Sequence, residues 1–393
     1  MKAIRILITL LFFVFIYSVD AQEWKVTWEK QLGNQQMNYF TDVIEDQNGG
    51  YTVLGSLNQN QQSLYDFWLV RFNESGDTIW SKTFGTNSND FPEKLLQDAD
   101  GGYLMLGSSG EAENTVPYLV KTDKDGIELW DKKIEGKGYV TKDFAPMSGG
   151  YLLVGSKGEN PGSEKLWMAC LNSNGEIDWE RNPAEKYTGC CQSVKKLPNG
   201  GYAIAGQVTT DGKTDCDIWV MRTNENLETL WESRQRTAGL KVWPECICCS
   251  TDSCLMIVGW QGTCMNDINS ENPVFDYDLV LLKADQKGKV LFTRNFDREG
   301  SEGGNAVAIR PDGNIVVAGV KATSFLGKVG PWLMLLDNKG TLISENLIKF
   351  HFKNDQAIKV INSKDGGILV IGPGYLTEPD SRTSGWIMKF SSL

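Results

Sequence analysis

Gly49-Gly-Tyr-Thr-Val-Leu-Gly55 decides the fold, because the chain keeps repeating it. Gly101-Gly-Tyr-Leu-Met-Leu-Gly107 is a near copy, and two more run from Gly149 to Gly155 and from Gly200 to Gly206. Weaker versions close on Gly259, Gly319 and Gly372, so seven units follow one another at intervals of 48 to 60 residues. Beyond each closing glycine lies a second column: Trp68, Tyr118, Trp167, Trp219, Val280, Trp332 and Trp386. Eight residues later comes a turn glycine (Gly76, Gly126, Gly175, Gly288, Gly340), replaced by Leu227 in the fourth unit. Four residues further is a third column: Trp80, Trp130, Trp179, Trp231, Phe292 and Ser344. Most of the 13 tryptophans and many of the 41 glycines are therefore repeat positions. Self-similarity at a fixed period marks a repeat architecture.

Each unit reads as four short strands, in unit one Thr41 to Asp46, Tyr51 to Leu54, Phe67 to Phe72 and Thr78 to Lys82. They are rich in β-branched and aromatic residues and are separated by Gly, Asn and Asp turns. Four strands per unit of this length is the pattern of a propeller blade. A helical solenoid would show apolar residues at a 3.6 period, which is missing. The reading is an all-β, seven-bladed β-propeller with four antiparallel strands per blade. Its blades fall near 34–85, 86–136, 137–184, 185–236, 237–297, 298–349 and 350–393. The last unit lacks a fourth strand, and residues 22–33 carry a spare one, with Trp28 lying 52 residues before Trp80. The N-terminal strand is thus expected to complete the last blade and remove open sheet edges. All of 22–393 is one domain on this reading.

Composition limits function. The 39 Lys and Arg against 50 Asp and Glu leave a net charge of −11, and nucleic-acid binding needs a basic footprint. The one histidine, His351, leaves little room for His-based metal or triad chemistry. At the N-terminus, Lys2 and Arg5 precede an apolar run from Ile6 to Tyr17, with small residues near Ala21. Twelve apolar residues are too few to span a bilayer, so residues 1–21 are expected to be a cleaved signal peptide. No later segment is apolar enough to cross a membrane, and an exported periplasmic or extracellular protein is expected.

Leu119-Val-Lys-Thr-Asp-Lys-Asp-Gly-Ile-Glu-Leu-Trp130 resembles the tryptophan-docking repeat of pyrroloquinoline-quinone-type propellers. The Gly-Gly-Tyr version is similar to that of secreted propeller proteins common in Bacteroidetes-like bacteria. The resemblance spans the chain after residue 21 and concerns the fold. The pattern departs from the quinone enzymes in having seven units rather than eight and an aspartate one residue closer to the turn glycine. Adjacent Cys190 and Cys191 resemble the vicinal disulfide of those enzymes, but that role is not carried over. The resemblance also implies a place in the cell envelope, such as an accessory of an outer-membrane secretion or uptake complex.

In a four-stranded blade, the first-to-second and third-to-fourth turns share one face of the disc, here uniformly tight. The second-to-third loops and the blade connections share the other and vary in length, so that face is the expected working face. Between Gly259 and Val280 the fifth unit carries 21 residues, where the others carry 11 to 14. Asp267, Glu271, Phe275 and Tyr277 in this insertion are candidate partner contacts, or carboxylate ligands for Ca²⁺; the plainer alternative is a solvated insertion. Asn38, Asp90, Glu302 and Asp355, each seventeen residues before a closing glycine, are candidates for the channel mouth, where carboxylates can do acid–base chemistry on a sugar. The same residue types also cap loops. The Asp123-Lys-Asp-Gly126 turn looks calcium-like but lacks the extended ligand series and reads as a β-turn.

Eight of the nine cysteines fall in units four and five. In an exported protein the expectation is disulfides, drawn from Cys190, Cys191, Cys216, Cys246 and Cys264, with Cys216–Cys264 the most natural pair and Cys170 left over. A thiolate metal site from Cys190, Cys191, Cys246 and Cys248 is the rival reading, but its C-x-x-C spacing is absent. No other cofactor is expected. The functional expectation is a non-catalytic binding or scaffold module with a protein or glycan partner on the variable face. The rival is an enzyme that binds or cleaves carbohydrate with carboxylates near the channel mouth.

Overall fold

The computed structural model describes residues 24–33, 38–58, 64–111, 114–136, 138–158, 162–209, 216–236, 240–250, 252–264, 275–297, 300–322, 329–348, 355–375 and 383–391. Residues 1–21, His351, Asp267, Glu271 and the side chains of Cys264 and Phe275 lie outside this set. Among the described residues the chain forms 28 strands in seven four-stranded antiparallel sheets. The innermost strands are β2 (Tyr39–Glu45), β6 (Asp90–Gln97), β10 (Tyr139–Met147), β14 (Thr188–Lys196), β18 (Leu240–Cys249), β22 (Glu302–Ile309) and β26 (Lys359–Asn362). They surround a central channel of about 670 Å³.

The seventh sheet runs β1 (Val26–Leu32), β28 (Thr383–Phe390), β27 (Ile368–Tyr375), β26. The N-terminal strand is therefore the outer strand of the last blade, paired from Val26 with Phe390 to Leu32 with Gly385. Trp28 repeats in this strand what the third column does elsewhere. Its ring lies where a side chain on Gly76 of the first blade would be, 2.7 Å from that Cβ position, and its Nε1 donates to Glu74 O at 3.1 Å. Trp80, Trp130, Trp231 and Phe292 cover Gly126, Gly175, Gly288 and Gly340 in the same way. The turn glycine is kept because it takes positive φ and because the neighbouring blade's ring occupies its side-chain space. At the one joint where Leu227 replaces it, also at positive φ, Trp179 remains 36% exposed.

The second column is buried in the seams between blades. Burial of an indole or phenol leaves its donor to be satisfied; in five units a residue thirteen positions on accepts it, and Trp386 donates to Pro373 O, thirteen positions before it. Trp68 donates to Ser81 Oγ, Trp167 to Glu180, Trp219 to Glu232, Trp332 to Glu345 and the Tyr118 hydroxyl to Asp131. Val280 has no such need. On the tight-turn face, bases and acids pair repeatedly: Arg71 with Asp46 at 3.0 Å, Lys283 with Asp252 at 2.8 Å, Lys389 with Asp365 at 2.8 Å, and Lys121 with Asp98. The Asp123 turn is a β-turn: Asp123 Oδ1 accepts from the Asp125 and Ile127 amides, and Gly126 N donates to Asp123 O. No helix of the described residues is long and apolar enough to cross a membrane.

Candidate functional site

The closing glycines build the site. In six of the seven inner strands the ladder slips by one residue opposite the closing glycine, between Phe40 and Asp42, Pro92 and Lys94, Thr141 and Asp143, Cys191 and Ser193, Pro244 and Cys246, and Gly304 and Ala306. In β26 the Ile358 amide donates to Ile371 O, on the same residue that Lys359 faces. Such a β-bulge inserts one unpaired residue and bends the strand. The bend drives a carbonyl of the inner strand against the second strand: a Cβ on Gly155 would sit 1.9 Å from Val140 O, and on Gly259 2.0 Å from Trp243 O. Only glycine fits there. What the bulge produces is a ring of extra residues at equivalent positions: Thr41, Glu93, Lys142, Gln192, Glu245, Asn305 and Ile358.

Six of these seven, with Tyr39, Lys94 and Pro373, line a cavity of about 400 Å³ at the channel mouth on the variable-loop face. Glu93 Oε1 accepts from Lys142 Nζ at 3.5 Å, while Glu93 Oε2 meets no donor among the described residues. Burial pushes the Glu93 carboxyl above its ordinary value despite Lys142 and Lys94, and burial does the same to Glu245 against the same two lysines. Asn305 turns aside: its Oδ1 accepts from Trp260 Nε1 at 3.2 Å and its Nδ2 donates to Ala357 O at 3.0 Å.

One residue deeper the channel carries a charged belt. Asp42 Oδ1 pairs with Lys359 Nζ at 2.8 Å, and Asp42 Oδ2 accepts from the Leu95 amide of the next blade at 3.0 Å. Asp143 Oδ2 accepts from Ser193 Oγ and the Val194 amide, both at 2.9 Å, and Ser193 Oγ accepts from the Ile247 amide at 3.3 Å. Burial opposes charge on Asp42, but Lys359 and Lys94 hold its carboxyl below the usual range. Burial likewise opposes charge on Lys94, yet Asp143 and Asp42 hold its ammonium well above the usual value. These paired groups stitch blade to blade and form the floor of the mouth.

Beside Glu245, blade five opens a second recess of about 330 Å³, lined by Trp243, Glu245, Trp260 and Tyr277. Trp243 and Trp260 are cross-strand partners in β18 and β19 (Leu255–Cys264), and Tyr277 stands two residues before Leu279, the partner of Trp260 in β20 (Phe275–Ala284). Of the 13 tryptophans, only Trp24, Trp243 and Trp260 lie outside the repeat columns. Two of those three are here. That residue, not the repeat itself, is the sequence signal for this part of the site.

The expected candidates fare unevenly. Tyr277 belongs to the recess. Asn38, Asp90, Glu302 and Asp355 do not reach the mouth; each is at most 4% exposed. Asn38 Oδ1 accepts from the Asn58 amide and Asp90 from the amide and hydroxyl of Thr86, so both tie loops. The bulge residue lies fourteen before the closing glycine (thirteen in blade three, whose hairpin is shorter), whereas these lie seventeen before. The expected disulfides are not seen at Cys190, Cys191 and Cys246, whose thiols are free. Cys191 is buried in the core between blades three and four, while Cys246 packs toward blade six, so their side chains diverge. The Cys216–Cys264 pair involves a side chain outside the described residues. Burial pushes the Cys190 thiol up to about 11 and the Cys191 and Cys248 thiols well above the usual value, as expected of thiols in apolar surroundings.

No family model matches the chain, and no curated protein matches it. Solved structures do share its fold. An ulvan lyase of polysaccharide lyase family PL25 superposes with a TM-score of 0.58 at 12% identity, over 92% of this chain and 96% of that one. The Pan2 WD40 domain of Neurospora crassa gives 0.54 at 10% identity, over 90% and 89%. An α-L-arabinofuranosidase of Fusarium graminearum gives 0.51 at 11% identity, over 91% and 97%. At such identity these likenesses establish a propeller and nothing about chemistry.

Proposed function

We propose that this is an exported glycan-binding propeller whose ligand enters the channel mouth on the variable-loop face. The observation that carries the reading is the bulge ring. At equivalent positions of seven blades, one mouth gathers a hydroxyl, two carboxylates, an ammonium and a carboxamide, from Thr41, Glu93, Glu245, Lys142 and Gln192. A sugar presents hydroxyls that both donate and accept, and a ring mixing donors with acceptors answers that chemistry. The two carboxyls of raised pKa admit acid–base chemistry on the bound sugar, but binding is the function the geometry supports most directly.

A glycan array of neutral, uronic and aminated oligosaccharides, probed with the tagged full chain, tests it. The wild type should label a defined subset, and a Glu93→Gln/Gln192→Ala variant of unchanged melting temperature should lose that signal at least about tenfold. An array without signal, or a signal indifferent to the variant, overturns the reading.

One observation favours protein scaffolding in the cell envelope as a second reading. Ile79, Leu129, Leu230, Leu291 and Ile343 sit one residue before the third column on five outer strands and are 42–59% exposed. Together they place apolar side chains at a repeated position around the rim, a surface suited to a partner protein. Under this reading a Leu129→Asp/Leu230→Asp variant abolishes co-purification of a stoichiometric envelope partner, while the mouth variant leaves it intact.

A further inference from the structure

We infer that the recess formed by Trp243, Trp260 and Tyr277 beside Glu245 is an aromatic cage for a trimethylammonium group. The ring planes of Trp243 and Tyr277 are tilted by 53° with centroids 5.9 Å apart, and those of Trp260 and Tyr277 by 79° at 6.2 Å. Rings standing at these angles do not offer the single flat face that a stacked sugar uses. They line a shallow, open recess at differing angles, with the Glu245 carboxyl among its lining groups. A cation whose charge is spread over methyl groups gains from both, because it is weakly hydrated and interacts with ring quadrupoles as well as with the carboxylate.

The recess is built for its rings rather than left over from packing. A Cβ on Gly303 of the next blade would meet the Trp260 indole at 2.2 Å, so a residue without a side chain makes room for it. Asn305 then fixes the indole through its Nε1. At the cross-strand positions of Trp243 and Trp260, other blades carry Tyr39 with Ser56, Val140 with Ser156, and Gly303 with Val320. No other blade pairs two tryptophans there. Departure from the repeat is concentrated at one joint, and it consists of aromatic faces.

The inference does not rest on the glycan reading, since mouth and recess share only Glu245. The test is a titration of the full chain followed by tryptophan fluorescence and calorimetry. The probes are choline chloride, an Nε-trimethyllysine amide, and the neutral isostere 3,3-dimethylbutan-1-ol. Choline or the lysine derivative should bind saturably, at least about tenfold more tightly than the neutral alcohol. Preference between the two cations tells whether the source is a free small molecule or a methylated side chain. Glu245→Gln should weaken the cation about fivefold and leave the alcohol unchanged. Trp243→Ala should remove cation binding, whereas Glu93→Gln should not touch it, which separates this outcome from failure at the mouth. Equal affinity for cation and alcohol, or no saturable signal from either cation up to about 50 mM, overturns the proposal.

Discussion

The two faces of the disc obey different rules. On the tight-turn face one solution recurs in blades one, two, five and seven, a base on the third strand closed against an acid in the first turn, as in Arg71–Asp46 and Lys389–Asp365. On the variable face the backbone recurs while the side chains do not: the bulge carries Thr41, Glu93, Lys142, Gln192, Glu245, Asn305 and Ile358 in turn. Constancy marks what holds the ring together. Variation on a constant backbone marks what the ring presents, the usual division between a rigid scaffold and the residues placed on it.

The largest effect should come from attacking the constant part. Gly155→Val puts a branched side chain where Val140 O already stands 1.9 Å from the Cβ position, and should cost more than about 3 kcal/mol in chemical denaturation. A variant that melts like wild type would show that the bulge does not need its glycine. A smaller effect separates two joints of similar sequence. Trp28→Ala uncovers Gly76 and loosens the closing strand, at a cost of about 2 kcal/mol, whereas Trp179→Ala, at the Leu227 joint, should cost roughly 0.5 kcal/mol. Equal losses would mean that docking onto the turn glycine is not what holds the blades.

The smallest effect is a pH dependence on the variable face. Asp278 is 9% exposed, and its Oδ1 meets no donor among the described residues. Burial first, then the neighbouring carboxylates of Asp297 and Asp276, push its carboxyl up to about 6 from 3.8. Between these values the folded protein holds a proton that the unfolded chain has released. Its contribution is therefore fully present below the lower value and is lost as pH rises through the upper one. Asp278→Asn should raise the melting temperature by roughly 1–2 °C at pH 8, with the gain fading toward pH 4. A gain of the same size at both pH values would remove the role of charge.

What could be read from the chain follows the same division. The blade count, the four strands and the closing N-terminal strand were legible because Gly55, Trp68, Gly76 and Trp80 return in kind in most units. The mouth was not, because no residue type recurs at the bulge, and the acids that do recur, Asp90 and Glu302, lie three residues before it. Trp243 and Trp260 were visible only as tryptophans that the repeat does not use. The placement of the cysteines was not legible either: Cys191 and Cys246 pack into two different seams as small apolar groups.

The central claim is that ligand contacts gather where side chains vary on the bulge ring. Hydroxyl-radical footprinting of the full chain with and without an oligosaccharide identified on the array tests it most directly. Protection should fall on Tyr39, Thr41, Glu93, Lys142, Gln192 and Glu245, leaving the tight-turn face and the rim residues Leu129 and Leu230 unchanged. Protection on the tight turns or the rim, with the mouth still reactive, would contradict it.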